Sequence, residues 1–346
     1  MNFVLAKSQP MSLPKLSARF GIGFLLLLSI LASLSLGAFG IPLTDILSGN
    51  MSEQQEAVFY AIRLPRVLLA GFVGAGLAIS GAALQGLFRN PLADPQLIGV
   101  SSGAALAVAI TIVFSGASAV SGISALFILS AAAFAGGLIT CLLIFKIASI
   151  SGKVSVAHML LAGIAISAIA FSGIGFLSYI SDDQQLRAIT FWTLGSLGGA
   201  LWPSVIIAAL VVIPSALVIY KQSQALNLLQ LGEEQSLYSG TDPERTKNIT
   251  IVAIALCVGV CVAVSGVIGF VGLVIPHLIR LSIGPDHRAL LPLSALLGAA
   301  LLIIADTTAR TIVAPAEMPV GILTALIGGP YFLWLLVRQY KKGFTI

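Results

Sequence analysis

Charge is what this chain has least of: 9% of its 346 residues are Asp, Glu, Lys or Arg, against 58% hydrophobic. That ratio excludes a soluble domain and points to a polytopic membrane protein. The net charge of +5 is not gathered into a basic patch interleaved with stacking aromatics, so no nucleic-acid partner is expected. Cysteine is scarce, and Cys141, Cys257 and Cys261 all fall in apolar runs, where they serve as small apolar residues. Cys257 and Cys261 stand one helical turn apart without a further ligand nearby, so no metal site is expected. No Gly-x-x-x-x-Gly-Lys-Ser/Thr loop is present; Gly152-Lys153 is followed by Val154, so any ATP must be hydrolysed by another chain. His-Glu-x-x-His and paired carboxylates within the apolar runs are also missing, which argues against intramembrane catalysis. An ion-coupled carrier needs an ionisable group at mid-membrane. The nearest candidate, Asp306, lies close to the outer end of its run with Arg310 on the next turn, the position of a structural ion pair or helix-end charge.

What is present in quantity is apolar sequence broken at regular intervals. From Val67 to Phe88 no side chain is ionisable, and a helix of that length covers roughly 30 Å, the hydrocarbon thickness of a bilayer. Gly71, Gly74, Gly76, Gly81 and Gly86 let a neighbouring backbone approach closely. Spans are expected near 20–40, 65–87, 97–115, 122–145, 155–179, 200–220, 248–265, 267–283, 289–309 and 319–338, an all-α bundle of about ten helices. The eighth is interrupted by Pro276, His277 and Arg280.

Lys and Arg in short loops stay on the cytoplasmic side. With both termini inside, Lys7, Lys15, Arg19, Arg89, Lys146, Lys153, Lys221, Arg245, Lys247, Arg280, Arg288, Arg338, Lys341 and Lys342 are cytoplasmic. Only Arg63, Arg66, Arg187 and Arg310 lie outside. A signal peptide competes for Phe20–Phe39, but the run is long for one and a retained first span is expected. The longest cytoplasmic break, 221–247, places Leu226, Leu228, Leu229, Leu231 and Leu237 beside Glu233 and Glu234, with breaks at Gly232 and Gly240. Two short amphipathic helices docking on a soluble partner suit this pattern.

Several blocks carry a specific resemblance: RLPR at 63–66, SGAALQGLFRNPLADPQLIGVSSGA at 80–104, LLAG at 160–163 and FWTLGSLGGALWP at 191–203. LGEEQ at 231–235, SGVIGFVGLVIPHLIRL at 265–281, DHRALLP at 286–292 and MPVGILTALIGGPYFLWLL at 318–336 continue it. In these the chain resembles the permease subunits of the ABC importers for iron-siderophores, hemin and cobalamin, and the hemin branch most. The resemblance implies one permease domain over 1–346, a second copy of the chain, two copies of a cytoplasmic ATPase subunit, a periplasmic binding protein, and residence among the lipids of the bacterial inner membrane. It implies no bound cofactor and no catalytic residue.

By the same resemblance Arg63, Arg66 and Arg310 receive acidic residues of the binding protein. The segment Leu226, Leu228, Leu229, Leu231, Gly232, Glu233, Glu234 and Gly240 sits on the ATPase. The cytoplasmic gate falls at Val156 and Ala157, where this chain departs from the small hydroxyl residues of cobalamin permeases. Arg187, four residues before Phe191, is the candidate to meet a hemin propionate at entry. A ferric siderophore, or cobalamin, is the alternative substrate.

Overall fold

One helix, α4, organises the bundle. In the computed structural model, which describes residues 13–37, 39–115, 122–150, 153–314 and 316–341, α1 spans Leu13–Ser35, α2 Leu43–Ser48, α3 Glu53–Val58 and α4 Leu64–Phe88. A π-helical turn, Phe59–Arg63, feeds α4. Of the α4 glycines, Gly74 and Gly81 meet a neighbouring backbone as expected, Gly76 and Gly86 meet side chains, and Gly71 has only an ordinary contact with Ile303. A Cβ at Gly74 would stand 2.3 Å from the Gly298 carbonyl oxygen, and one at Gly81 would stand 1.9 Å from that of Gly272. Backbones therefore touch where a larger residue would separate them, and α4 is buried along most of its length.

Next come a 3₁₀ turn at Pro95–Ile98, α5 at Val100–Phe114, α6 at Gly122–Ala148 and α7 at Val156–Ile180. Between α6 and α7 lies a small antiparallel hairpin, β1 (Ser149–Ile150) with β2 (Lys153–Val154), pairing Ser149 with Val154. The chain continues through α8 (Asp183–Thr193), α9 (Trp202–Lys221), α10 (Ser223–Leu229), α11 (Glu233–Tyr238) and α12 (Pro243–Ser265). It closes with α13 (Val271–Ile283), α14 (His287–Ile312) and α15 (Val320–Lys341).

Seven helices are long and apolar enough to cross a membrane, and α5, α13 and α15 are shorter apolar helices. Together they occupy the ten expected windows among the described residues. The eighth window differs at its start: Phe270 adopts a left-handed φ of 69° and Gly266 one of 69°, so 266–270 is not helical and α13 begins at Val271. At 1.5 Å per residue, 13 residues cover only about 20 Å. Irregular backbone at such depth is tolerated because protein covers it; Gly266 lies against the Trp192 carbonyl and Gly269 against Gln96.

α4, α12 and α14 form the buried centre, whereas α1, α6, α7 and α9 leave most of their apolar surface open. The end of α1 is nonetheless locked in, since Arg63 and Arg310 both donate to its backbone carbonyls. That anchorage suits a retained span. Cys257 and Cys261 are fully buried against Gly76 and Val73 of α4, as core residues.

Candidate functional site

The residues singled out by sequence gather at the two ends of the bundle. At the outer end, the π turn and Pro65 at the start of α4 aim Arg63 and Arg66 inward. Arg66 donates from Nε to Asp306 Oδ2 at 2.8 Å and from Nη2 to Oδ1 at 2.9 Å, and from Nη1 to Glu317 Oε1 at 2.9 Å. This is the fork geometry in which guanidinium and carboxylate bind most strongly. Asp306 was expected beside Arg310, yet the Arg310 Nε stands 3.9 Å away and its main partner lies on α4.

Arg310 donates instead to the Ser33 carbonyl at 2.5 Å and to Ser33 Oγ at 2.9 Å. Arg63 donates to the carbonyls of Leu34 at 2.6 Å, Ser35 at 2.8 Å and Phe39. All three arginines are buried, at 3% exposure for Arg63, 6% for Arg66 and 9% for Arg310. They are not free cations on the outer surface; they tie α1, α4 and α14 together. Glu317, half exposed, is the outermost member, and sequence reasoning passed over it. A Cβ on Gly198 would lie 2.7 Å from its Oε2, so the loop following α8 reaches this cluster.

Arg187 is exposed on α8, its guanidinium 5.4 Å above the Phe191 ring, within cation–π range. Asp182 is occupied as the N-cap of α8 in a capping box with Gln185. Gln185 Nε2 reaches the Val113 carbonyl at 3.4 Å and fixes the helix against the end of α5.

At the inner end α10 is fastened to the scaffold. Leu226 and Leu229 face inward, with 0% and 2% exposure, so these two are not offered to a partner. Asn227 donates to Asp286 at 2.7 Å and accepts from the His287 backbone N–H at 2.9 Å, while Gln230 donates to the Gly86 carbonyl at 2.6 Å. Burial alone would raise the Asp286 carboxyl, but the hydrogen bonds from Asn227 and the Arg288 N–H, with the Arg288 charge, hold it below the usual carboxylate range.

Gly232 then turns the chain at φ 120°, a backbone conformation reserved for glycine. Just before that turn Leu231 is 66% exposed, and beyond it α11 presents Leu237 at 61% exposure and Tyr238 at 88%. Leu228 is intermediate, and Glu234 and Gly240 are exposed. Glu233 turns back to Lys247 Nζ at 2.9 Å.

α7 starts at the candidate gate, with Val156 half-buried and Ala157 exposed. Ser155 caps it, accepting from the His158 backbone N–H at 3.4 Å and lying 2.8 Å from His158 Nδ1. In the connection between α4 and α5, Asp94 caps the Pro95–Ile98 turn by accepting from the Gln96 N–H at 2.8 Å. Burial pushes its carboxyl up from 3.8 to about 6 against that hydrogen bond.

The family model described as the FecCD transport family matches residues 25–338. The chain is 48% identical over 331 residues to the hemin transport system permease protein HmuU of Yersinia pestis, covering 95% of this chain and 98% of the relative. It is 40% identical over 291 residues to the vitamin B12 import system permease protein BtuC of Vibrio cholerae, covering 84% and 86%. Among solved structures, an inward-facing putative metal-chelate type ABC transporter superposes with a TM-score of 0.82 at 35% identity, covering 93% of this chain and 99% of the other.

Proposed function

The chain belongs to the FecCD transport family, and from that premise we propose that it passes hemin across the bacterial inner membrane as the permease subunit of an ABC importer. It is a multi-pass protein of that membrane. ABC permeases of this family work with ATPase subunits and a periplasmic binding protein. The finer arrangement proposed here is one permease domain over 1–346, a dimer of two copies, a pair of identical ATPase subunits inside and the binding protein outside. The observation that carries the substrate is the near full-length similarity to a hemin permease at 48% identity.

The two ends take separate roles in this reading. On the inside, Leu231, Leu237 and Tyr238 form the apolar knob that enters a groove of the ATPase, with Glu234 at its rim. Val156 and Ala157 form the gate. On the outside, carboxylates of the binding protein engage the arginine cluster by displacing Glu317 from Arg66, and Arg63 and Arg310 hold the platform in place. Arg187, with its charge over Phe191, meets a propionate of the entering hemin. No residue of this chain performs the hydrolysis.

The test is ATP hydrolysis by the assembled complex. Hemin-loaded binding protein is expected to accelerate it and ferric-siderophore-loaded binding protein to leave it near the basal rate. The reverse order would transfer the mechanism to a siderophore, and no response to either would reject the importer reading.

A further inference from the structure

Lys247 lies one turn inside α12 with a side chain only 4% exposed, yet it joins three elements. Its Nζ is 2.9 Å from Glu233 Oε1 on α11, 2.8 Å from Glu244 Oε1 on its own helix, and 3.3 Å from the Val154 carbonyl of β2. Glu244 Oε2 accepts the Val154 backbone N–H at 2.9 Å. Both backbone groups of Val154 are therefore held by one Lys–Glu pair, two residues before α7 begins at Val156.

The neighbouring ties differ between α10 and α11. α10 is bonded to the scaffold through Asn227 and Gln230. α11 follows the Gly232 turn, and Glu233 is its ion-paired residue among those described. On the reading that α11 sits on an ATPase, we propose that Glu233, Lys247 and Glu244 are positioning residues that form a strut. The strut transmits displacement of α11 to the β1–β2 hairpin and so to the cytoplasmic start of α7. Coupling needs a contiguous physical connection between two elements with more than one arrangement. A buried ammonium gripping one α11 carboxylate and the Val154 carbonyl supplies it. Glu233, expected from sequence to contact the ATPase directly, acts inward in this assignment and leaves Glu234 for the partner.

The experiment uses the reconstituted complex of permease, ATPase and hemin-loaded binding protein, comparing Glu233→Gln, Lys247→Gln and Lys247→Arg. Hemin imported per ATP hydrolysed is measured together with the distance between spin labels on His158→Cys of the two copies, with and without ATP. Both Gln variants are expected to assemble and hydrolyse ATP while uptake per ATP falls about tenfold and the nucleotide-dependent distance change disappears, with Lys247→Arg recovering most of both. Uptake and distance change within about twofold of the parent in Glu233→Gln would overturn the strut. That variant alters a half-exposed carboxylate, so it decides the matter even where Lys247→Gln fails to fold. A parent complex that imports nothing on ATP addition would overturn the importer reading on which the strut rests.

Discussion

Removing one member of the Arg66–Asp306 pair is expected to cost more than any surface substitution, because both groups are buried and the survivor is left as an uncompensated charge. Asp306→Asn should lower unfolding stability in detergent by about 3–5 kcal/mol, read as a drop in thermal midpoint. Glu317→Ala acts in the other direction on binding: it frees one arm of Arg66 from its half-exposed competitor. The binding protein is expected to associate more tightly, by about 1 kcal/mol in a surface-binding measurement, whereas Arg66→Glu should abolish docking. Asp94 supplies the pH dependence. Its folded pKa of about 6 lies above its ordinary 3.8, so the folded state binds more protons between those values and stability falls as pH rises through that window. Asp94→Asn keeps the capping oxygen and should erase that slope, worth about 3 kcal/mol across the window. At this scale the sequence told residue types but not partners. Arg66 and Asp306 stand 240 positions apart, and periodicity carries no information on such a pairing, so the nearer Arg310 looked like the mate. The Glu244–Lys247 spacing of three was visible, but its grip on Val154 was not.

Among the elements, α4 makes the sharpest demand. Gly81→Ala would drive a methyl group into the Gly272 carbonyl, 1.9 Å from the ideal Cβ position, so that one helix backbone must shift. A loss at or beyond the upper end of about 1–3 kcal/mol is expected. Gly21→Ala, with nothing within 4 Å, should leave the thermal midpoint unchanged or slightly raised. Such close approaches were legible in advance because glycines within an unbroken apolar run have few other uses. All ten membrane windows were legible for a similar reason, since burial in lipid writes itself into composition. The start of α13 was not, because a left-handed Phe270 leaves no mark in hydropathy. The leucines of 221–247 show the same limit: an amphipathic pattern reveals that a face is buried, not whether bundle or partner buries it. Leu226 and Leu229 turned out to be buried in the bundle, and Leu231 and Leu237 to be exposed at its inner end.

For the whole molecule, the buried centre of α4, α12 and α14 is surrounded by helices whose apolar sides remain open, as befits a protein set in lipid. Its ends differ in character. The outer end is locked by arginines into carbonyls and carboxylates, and the inner end exposes Leu231, Leu237 and Tyr238 beside an ion-paired link from Glu233 through Lys247 to Val154. That asymmetry suits a machine docked from outside and driven from inside, and the scarcity of mid-membrane charge suits a path that passes its solute without gripping it. The most direct measurement is hemin accumulation in proteoliposomes containing this chain, its ATPase and its binding protein. Accumulation that requires ATP and is abolished by Leu231→Asp together with Leu237→Asp is predicted. Hemin accumulation without ATP, or undiminished by those changes, would contradict the account.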